Sequence, residues 1–365
     1  MLATPHTESR PTSTMDGLLR SPEFWFYDGN VVLIAGSTAF KVHRGQLARH
    51  SDVFHGLFSI PQPQDEHSMD DCPCVQLHDQ PSDVTCFLSA LYDGFYFDKP
   101  RADDFPIIAG VLRLSSKYLV ESLRQQCILR LEHEWPSTLA GWDRREQEST
   151  NAQAHYSPRD LYAHPILVLE LAVELNLPSL FPAALYDLSR YGPSKILSGT
   201  AVPLPAHASP QDSADPPGHF VAKLTRDLLC RTLRGREDSQ KYISRFVEKV
   251  LVMRPISPEC LNKDTDRAGY CIESFYFITL NMLRSVGGVS SGRDADPLFS
   301  LVQAMDMLSR TDFSDGRGTK RCGLRMCHMC KVEFAKEGIS AREEIWRLIP
   351  QWFGLQEASE LKTKA

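Results

Sequence analysis

The sequence lacks the features that would place the protein in a membrane or a secretory pathway. Its first 17 residues are polar and contain no apolar core of the kind that a signal peptide needs, so we expect no secretory signal. No apolar run approaches the roughly 20 residues of a membrane helix, and no N-x-[ST] glycosylation site is present. The ten cysteines are therefore expected to be reduced thiols, mostly buried. We expect a location in the cytoplasm or the nucleus.

A concentrated basic charge and the common catalytic motifs are also lacking. The formal net charge of −6 over 365 residues gives no reason to expect general nucleic-acid binding. The sequence contains no G-x-S-x-G, H-E-x-x-H or Walker motif. The G-x-G at 316–318 lacks the strand and the third glycine of a dinucleotide site. We therefore predict that the protein is not an enzyme and binds no cofactor.

The stretch 28–58 carries the strongest local pattern. Residues 30–35 are mostly β-branched or aliphatic and predict a buried strand, and the alternation over 39–43 predicts a second strand after a turn. The apolar period then becomes helical, and Ser51 is placed to cap a second short helix. A hairpin followed at once by apolar helices must bury both against each other.

The spacing H-x3-L-x3-S-x2-F-x3-F within this stretch resembles the signature of the BTB/POZ domain. The resemblance covers about residues 20 to 135. It implies a protein-interaction module in which a small sheet with a hairpin is surrounded by helices, and a structural rather than catalytic histidine. The five signature residues are His43, Leu47, Ser51, Phe54 and Phe58.

The whole chain is predicted to be an α+β protein, with an N-terminal BTB/POZ domain followed by a mostly α-helical C-terminal region. Two apolar stripes that begin at prolines predict a helix pair of the kind that often follows BTB domains. The end of the chain resembles uncharacterised fungal BTB proteins. We expect a disordered leader at 1–20, the BTB/POZ domain at 21–136, a linker at 137–156, the helix pair at 157–197, a Pro/Ser-rich loop at 198–218 and a helical region at 219–365.

Local patterns also predict individual elements of the C-terminal region. Separate helices are expected at 220–234 and 240–253. The nearly all-apolar segment 271–283 is either a buried helix or a strand, because periodicity does not distinguish the two. A capping-box pattern at 340–343 predicts the start of the last helix.

Four consecutive aromatic residues at 24–27 precede the first predicted strand. They either pack on the sheet and under the helices or form a dimer contact, because BTB domains often pair through this region. The family resemblance also implies a charged pocket at the dimer interface. Here Asn30 stands where that pocket usually has an acidic residue, Asp28 lies two residues earlier, and Arg44 keeps the basic position.

BTB proteins with a helical extension commonly act as adaptors of cullin ubiquitin ligases, and the resemblance implies this partner for the present chain. Cullin-binding domains tend to carry an apolar-x-Glu motif after the helix that ends here near Tyr92. The nearest substitute is Tyr96-Phe97-Asp98. The candidate interaction residues are therefore Phe24, Trp25, Phe26, Arg44, Tyr96 and Asp98.

Cys322, Cys327, His328 and Cys330 are the best candidates for metal ligands, because C-x2-C is a zinc-ligand spacing. All four lie within nine residues, however, and helical geometry would point Cys327 and His328 apart. The preferred interpretation is two buried thiols one turn apart, so no metal site is predicted.

A run of basic residues flanks these cysteines. It is interpreted as a solvated charged face, with contact to phosphate or a nuclear-import role as the alternative. Together with the Cys/His segment, this run gives the alternative function of a nuclear DNA-binding or transcriptional regulator. Its members are Arg317, Lys320, Arg321, Arg325 and Lys331.

Overall fold

The computed structural model describes six stretches of the chain, and the structural statements below refer to these residues. They divide into two compact units, and the boundary between the units falls at residue 129. The described stretches are 17–60, 68–94, 100–203, 221–286, 291–314 and 321–355. The first unit comprises 17–60, 68–94 and 104–129, and the second comprises 100–103, 130–203, 221–286, 291–314 and 321–355.

The first unit is built on a five-stranded sheet. Its strands are β1 (Leu19–Trp25), β2 (Val31–Ala35), β3 (Thr38–Val42), β4 (Ser68–Met69) and β5 (Cys72–Leu77). Their order across the sheet is β1-β3-β2-β5-β4. The predicted hairpin is confirmed: β2 and β3 pair antiparallel, and Gly36 in the turn has a φ of 53°, where glycine is favoured. β1 and β5 pair parallel with β3 and β2.

Helices pack around this sheet as the family resemblance implied. They are α1 (Arg44–His50), α2 (Asp52–Ser59), α3 (Pro81–Tyr92), α4 (Phe105–Lys117) and the part of α5 (Glu121–Glu134) up to residue 129. The expectation of a disordered leader up to residue 20 is wrong at its end, because β1 already begins at Leu19. Residues 1–16 lie outside the described residues.

The second unit is mostly helical, as predicted. Its helices are α6 (Leu139–Glu148), α7 (Pro158–Leu161), α8 (Pro165–Glu174), α9 (Phe181–Ser189), α10 (Pro193–Ser198), α11 (Arg226–Phe246), α12 (Ala268–Met282), α13 (Pro297–Asp306) and α14 (His328–Trp352). Two short ribbons pair β6 (Thr200–Ala201) with β7 (Val221–Ala222) and β8 (Phe313–Ser314) with β9 (Arg321–Cys322). None of the helices that the described residues form is both long and apolar enough to cross a membrane.

The predicted linker at 137–156 is wrong, because half of it forms α6, and one face of this helix lies in the core. Trp142 and Arg145 on this helix are almost fully buried, at 1% and 0% exposure. The Trp142 ring lies edge-on to that of Tyr186 on α9, with 5.2 Å between centroids. Polar residues dominate the outer face of α6, and this polarity made the segment resemble a linker.

Three helices of the C-terminal region are compared with the expectations from sequence. The two helices expected at 220–234 and 240–253 are one helix, α11, which continues into a π-helical segment at Val247–Val252. The segment 271–283 falls mostly in α12, and Tyr276 is 60% exposed, so this helix is not buried all round. The capping-box pattern at 340–343 lies inside α14, whose true N-cap is Cys327.

The predicted helix pair is present as α8 and α9, but it is not a surface extension. α9 packs against α8, α11 and α14, and residues 183–190 are all buried. On α8, only Val173 among the large apolar residues is strongly exposed, at 53%. The pair therefore forms the centre of the second unit.

Candidate functional site

Three of the five signature residues, Leu47, Ser51 and Phe54, are buried in the first unit. Ser51 caps α2 by accepting a hydrogen bond from the Phe54 backbone N–H at 3.1 Å, and its hydroxyl donates to the Tyr118 carbonyl at 2.5 Å. Phe54 is 1% exposed and stacks on Tyr118, with 4.5 Å between centroids, and on Phe58. Leu47 is fully buried. Ser51 and Phe54 therefore join α2 to the end of α4.

Both ring nitrogens of His43 lie within hydrogen-bond distance of a side chain. Its Nδ1 lies 3.0 Å from the Tyr92 hydroxyl, and its Nε2 lies 3.2 Å from an Asp28 carboxylate oxygen. The same Tyr92 hydroxyl accepts a hydrogen bond from the His43 backbone N–H. Burial is the main cause that raises the pKa of Tyr92 above its ordinary value. The interpretation of His43 as a structural residue agrees with these contacts.

The aromatic run at 24–27 divides between the interior and the surface. Phe24 is only 3% exposed and packs beside Tyr92 and Phe26. Trp25 and Phe26 are half-buried, and Tyr27 is 94% exposed. Phe24 thus belongs to the domain core, and the surface available to a partner is that of Trp25, Phe26 and Tyr27.

Asn30 and Arg44 contact each other, but not as a charge pair. The Asn30 side-chain oxygen accepts a hydrogen bond of 2.7 Å from the Arg44 backbone N–H. The Arg44 guanidinium instead donates to the Phe58 carbonyl at 3.1 Å and lies 5.0 Å from the Phe58 ring centroid. Tyr96 and Asp98, the candidate cullin contacts, lie outside the described residues.

The second unit brings four cysteine sulfurs together, and only two of them belong to the predicted Cys/His set. Cys260, Cys271, Cys327 and Cys330 have sulfur atoms that all lie within 4.8 Å of one another. His328 is exposed and is not part of this cluster, and the Cys322 side chain lies outside the described residues. We call Cys260, Cys271, Cys327 and Cys330 the four-cysteine cluster.

Three separate segments position this cluster. Cys260 lies in the turns between the π-helical segment and α12, and Cys271 lies in the first turn of α12. Cys327 is the N-cap of α14, and Cys330 follows in the first turn of that helix. Cys260, Cys271 and Cys330 are buried, while Cys327 is half-buried.

Backbone donors act on the sulfurs of the cluster. Burial alone would raise the pKa of the Cys327 thiol, but hydrogen bonds from the backbone N–H groups of Cys330 and Leu261 outweigh it and lower the pKa to about 7. Burial raises the pKa of Cys330 and of Cys271. The Cys327 thiol therefore ionises more readily than those of Cys271 and Cys330.

Sequence reasoning missed Cys260 and Cys271, and the signal that could have found them is weak. They are 11 residues apart, whereas paired zinc ligands usually follow the close C-x2-4-C spacing. Cys72 and Cys74, which are closely spaced in the sequence, lie in β5 of the first unit. The one signal in the sequence is that Cys327 and Cys330 form a single C-x2-C pair, and a four-ligand site would need two more ligands from elsewhere in the chain.

The described members of the basic run near the cluster have partners within the second unit. Arg325 forms an ion pair of 2.8 Å with Glu273 and lies over the Tyr270 ring. The Lys331 ammonium donates to the Leu308 carbonyl at 2.7 Å. These contacts agree with a charged structural face and supply no argument for phosphate binding.

Comparison with known proteins bears on the first unit. The sequence profile of the BTB/POZ domain family matches residues 26–134. No curated protein matches the chain. The described β-sheet with its surrounding helices and the matched residues together establish a BTB/POZ domain at the N-terminal end of the described chain, followed by a helical region.

Proposed function

We propose that this protein is a non-catalytic scaffold or adaptor that binds protein partners through its BTB/POZ domain. BTB/POZ domains are protein–protein interaction modules, and the match to residues 26–134 is the observation that carries the proposal. The contacts of the five signature residues support it, since they are structural and satisfied within the domain. The compartment that we propose is the cytoplasm or the nucleus.

Self-association through the N-terminal edge of the domain is the first interaction that we propose. The sheet order puts β1 at one edge, and an edge strand directs a row of backbone groups away from its sheet. The register of β1 on β3 is interrupted between Arg20 and Trp25. An exposed aromatic side chain lies two residues after the end of β1, since Tyr27 is 94% exposed. Aromatic side chains are enriched at the centres of protein interfaces.

Light scattering on the full-length chain tests the homodimer. Tyr27→Glu places a charge on the proposed interface, and we expect it to shift the protein from dimer to monomer at tens of micromolar, on the order of a tenfold or greater loss of affinity. The matched control is Leu129→Glu, which also puts a charge on an exposed apolar position (64%) but on α5. A wild-type chain that is monomeric throughout this range would rule out the homodimer.

A cullin-type ubiquitin ligase is the partner class that we propose to test next. α9 is buried within the second unit and offers little surface to such a partner. The contact surface must then come from the BTB helices and from the segment after α3. Asp98 is one methylene shorter than the usual Glu, and a hydrogen bond lost there would cost about 1 kcal/mol.

A pull-down with the host's cullin decides this point. Wild-type protein is compared with the double variant Tyr96→Ala/Asp98→Ala, and Leu129→Glu is the control. We expect cullin in the wild-type eluate and a clear loss with the double variant. Absence of cullin from the wild-type eluate would exclude the adaptor role, whereas equal recovery with both proteins would exclude only these two contact residues.

A further inference from the structure

The four-cysteine cluster has the distances of a metal site. The Cys260 sulfur lies 3.7 Å from that of Cys271 and 3.9 Å from that of Cys327. Four thiolates around one zinc ion, with Zn–S bonds of about 2.3 Å in a tetrahedron, are separated by roughly 3.8 Å. A disulfide needs sulfurs at about 2.05 Å, so the observed spacing is not that of disulfide bonds.

Hydrogen-bond donors that point at the sulfurs are a second observation. The Cys327 backbone N–H donates to the Cys271 sulfur at 3.3 Å, and the Cys330 backbone N–H donates to the Cys327 sulfur at 3.5 Å. The Asn262 side-chain amide donates to the Cys271 sulfur at 3.3 Å. Donors of this kind stabilise thiolates and orient them, as the outer partners of metal ligands do.

The cluster also differs from the other described cysteines of the chain. Cys86 and Cys127 are buried singly in the helices of the first unit, which is the ordinary place of a core thiol. Cys260 and Cys327 are 67 residues apart in the sequence, yet their sulfurs meet. Burial of apolar surface alone does not require four thiols to converge on one point.

We propose that Cys260, Cys271, Cys327 and Cys330 bind one zinc ion in a structural, tetrahedral site. Four thiolates favour zinc among the common divalent ions, because soft sulfur ligands suit it and carboxylate-preferring ions are excluded. Four protein ligands fill the coordination sphere and leave no position for water or substrate, so the ion is structural. It joins the turns around Cys260 and the first turns of α12 and α14.

The site gives the second unit a cross-link at the first turn of α14. α14 begins at the cluster, and its first turn supplies Cys330. Because zinc binds the folded arrangement and not the dispersed cysteines of an unfolded chain, its binding free energy adds to the stability of this unit. The proposal is independent of the partner that the BTB/POZ domain binds.

Metal analysis of the full-length chain, purified under reducing conditions without chelators, tests the proposal. We expect about one zinc ion per chain. Cys260→Ser and Cys271→Ser should each lower the zinc content as strongly as Cys330→Ser, although they lie outside the C-x2-C pair. His328→Ala is the matched control, since this exposed residue lies between two ligands, and Cys230→Ser controls for an exposed thiol. Both should retain zinc.

Because a lost ligand also destabilises the fold, a second measurement uses the wild-type chain. Zinc is removed with a chelator, and Co²⁺ is then added to the reduced protein. Four thiolate ligands predict the intense visible and charge-transfer absorption of tetrahedral cobalt, saturating at about one ion per chain. Chelation should also lower the unfolding temperature of the second unit and leave that of the first unchanged.

Three results would overturn the proposal. The first is a reduced wild-type chain that contains no zinc and takes up neither Zn²⁺ nor Co²⁺. The second is zinc that survives Cys260→Ser and Cys271→Ser but is lost with His328→Ala or Cys322→Ser, which would refute this ligand set. The third is iron with visible absorption in the purified protein, which would refute the assignment to zinc.

Discussion

Arg145 on α6 donates a hydrogen bond of 2.8 Å to the carboxylate of Asp187 on α9, and both side chains are almost completely buried. The guanidinium also lies over the rings of Trp135, Trp142 and Tyr162, each within 4.9 Å of the ring centroid. The pair therefore joins a helix from a segment that looked like a linker to the central helix of the second unit. Ionised groups at such depth persist because each has several partners.

Asp187→Asn tests this network. The Asp187 carboxylate also accepts hydrogen bonds from Arg159 and Arg190, so its neutralisation weakens the pairing of two buried guanidinium groups and of the half-buried one of Arg159. We expect the free energy of unfolding of the second unit to fall by about 3–5 kcal/mol. Denaturant unfolding measures the change. Asp227→Asn, which breaks an exposed pair with Arg231, is the control and should cost less than about 1 kcal/mol.

The environment of the Asp187 carboxyl group predicts that the stability of the second unit depends on pH. Burial tends to raise the pKa of Asp187, but Arg159, Arg145 and Arg190 outweigh it and hold the pKa well below its usual range. A carboxyl group whose pKa is lower in the folded state than in the unfolded state stabilises the fold at pH values above its unfolded pKa of about 3.9. This stabilisation is lost as the pH falls through the folded-state pKa. Unfolding temperatures should therefore fall less steeply below about pH 4 in Asp187→Asn than in the wild type. Parallel curves would show that Asp187 does not contribute.

Phe54→Ala tests the core of the BTB/POZ domain. The ring is buried between those of Tyr118 and Phe58, so its removal leaves a cavity beside them. The expected cost is about 3–5 kcal/mol. Thermal unfolding followed by circular dichroism measures it. His55→Ala removes a ring from the exposed side of the same helix and should change stability by less than about 0.5 kcal/mol; an equal effect of both variants would contradict the assigned core position.

Gly235→Ala tests the packing of α11 against Phe353, the residue that follows α14. A Cβ atom at 235 would lie 2.0 Å from the Phe353 ring, so the ring or the helix must move. We expect a loss of about 1–3 kcal/mol, although alanine is the better helix former. Gly269→Ala in α12 meets no atom within 4 Å and should be neutral or slightly stabilising. Rescue by Phe353→Leu in the Gly235→Ala background would identify the clash as the cause.

The hairpin, its turn and the Ser51 cap were predictable from sequence because each depends on residues close in the chain. A run of β-branched and aliphatic residues predicted β2, alternation predicted β3, and the position of Ser51 predicted the N-cap of α2. The helix start predicted from the Ser340–Glu343 pattern was wrong, because that pattern too is only a local signal. A capping sequence offers local hydrogen bonds, but the long packing face of α14 continues through it and keeps the helix intact.

The sequence by itself determined the BTB/POZ domain, because its signature residues fall within 16 positions and their spacing is tied to one hairpin and two short helices. Tertiary structure decided that α6 is core, that α9 is central rather than an exposed extension, and that Cys260 and Cys271 join the C-x2-C pair. These outcomes depend on contacts between residues that are far apart in the chain, such as Arg145 with Asp187, 42 positions apart, and Cys260 with Cys327, 67 positions apart. No local period encodes such contacts, because they arise only when separate helices pack together.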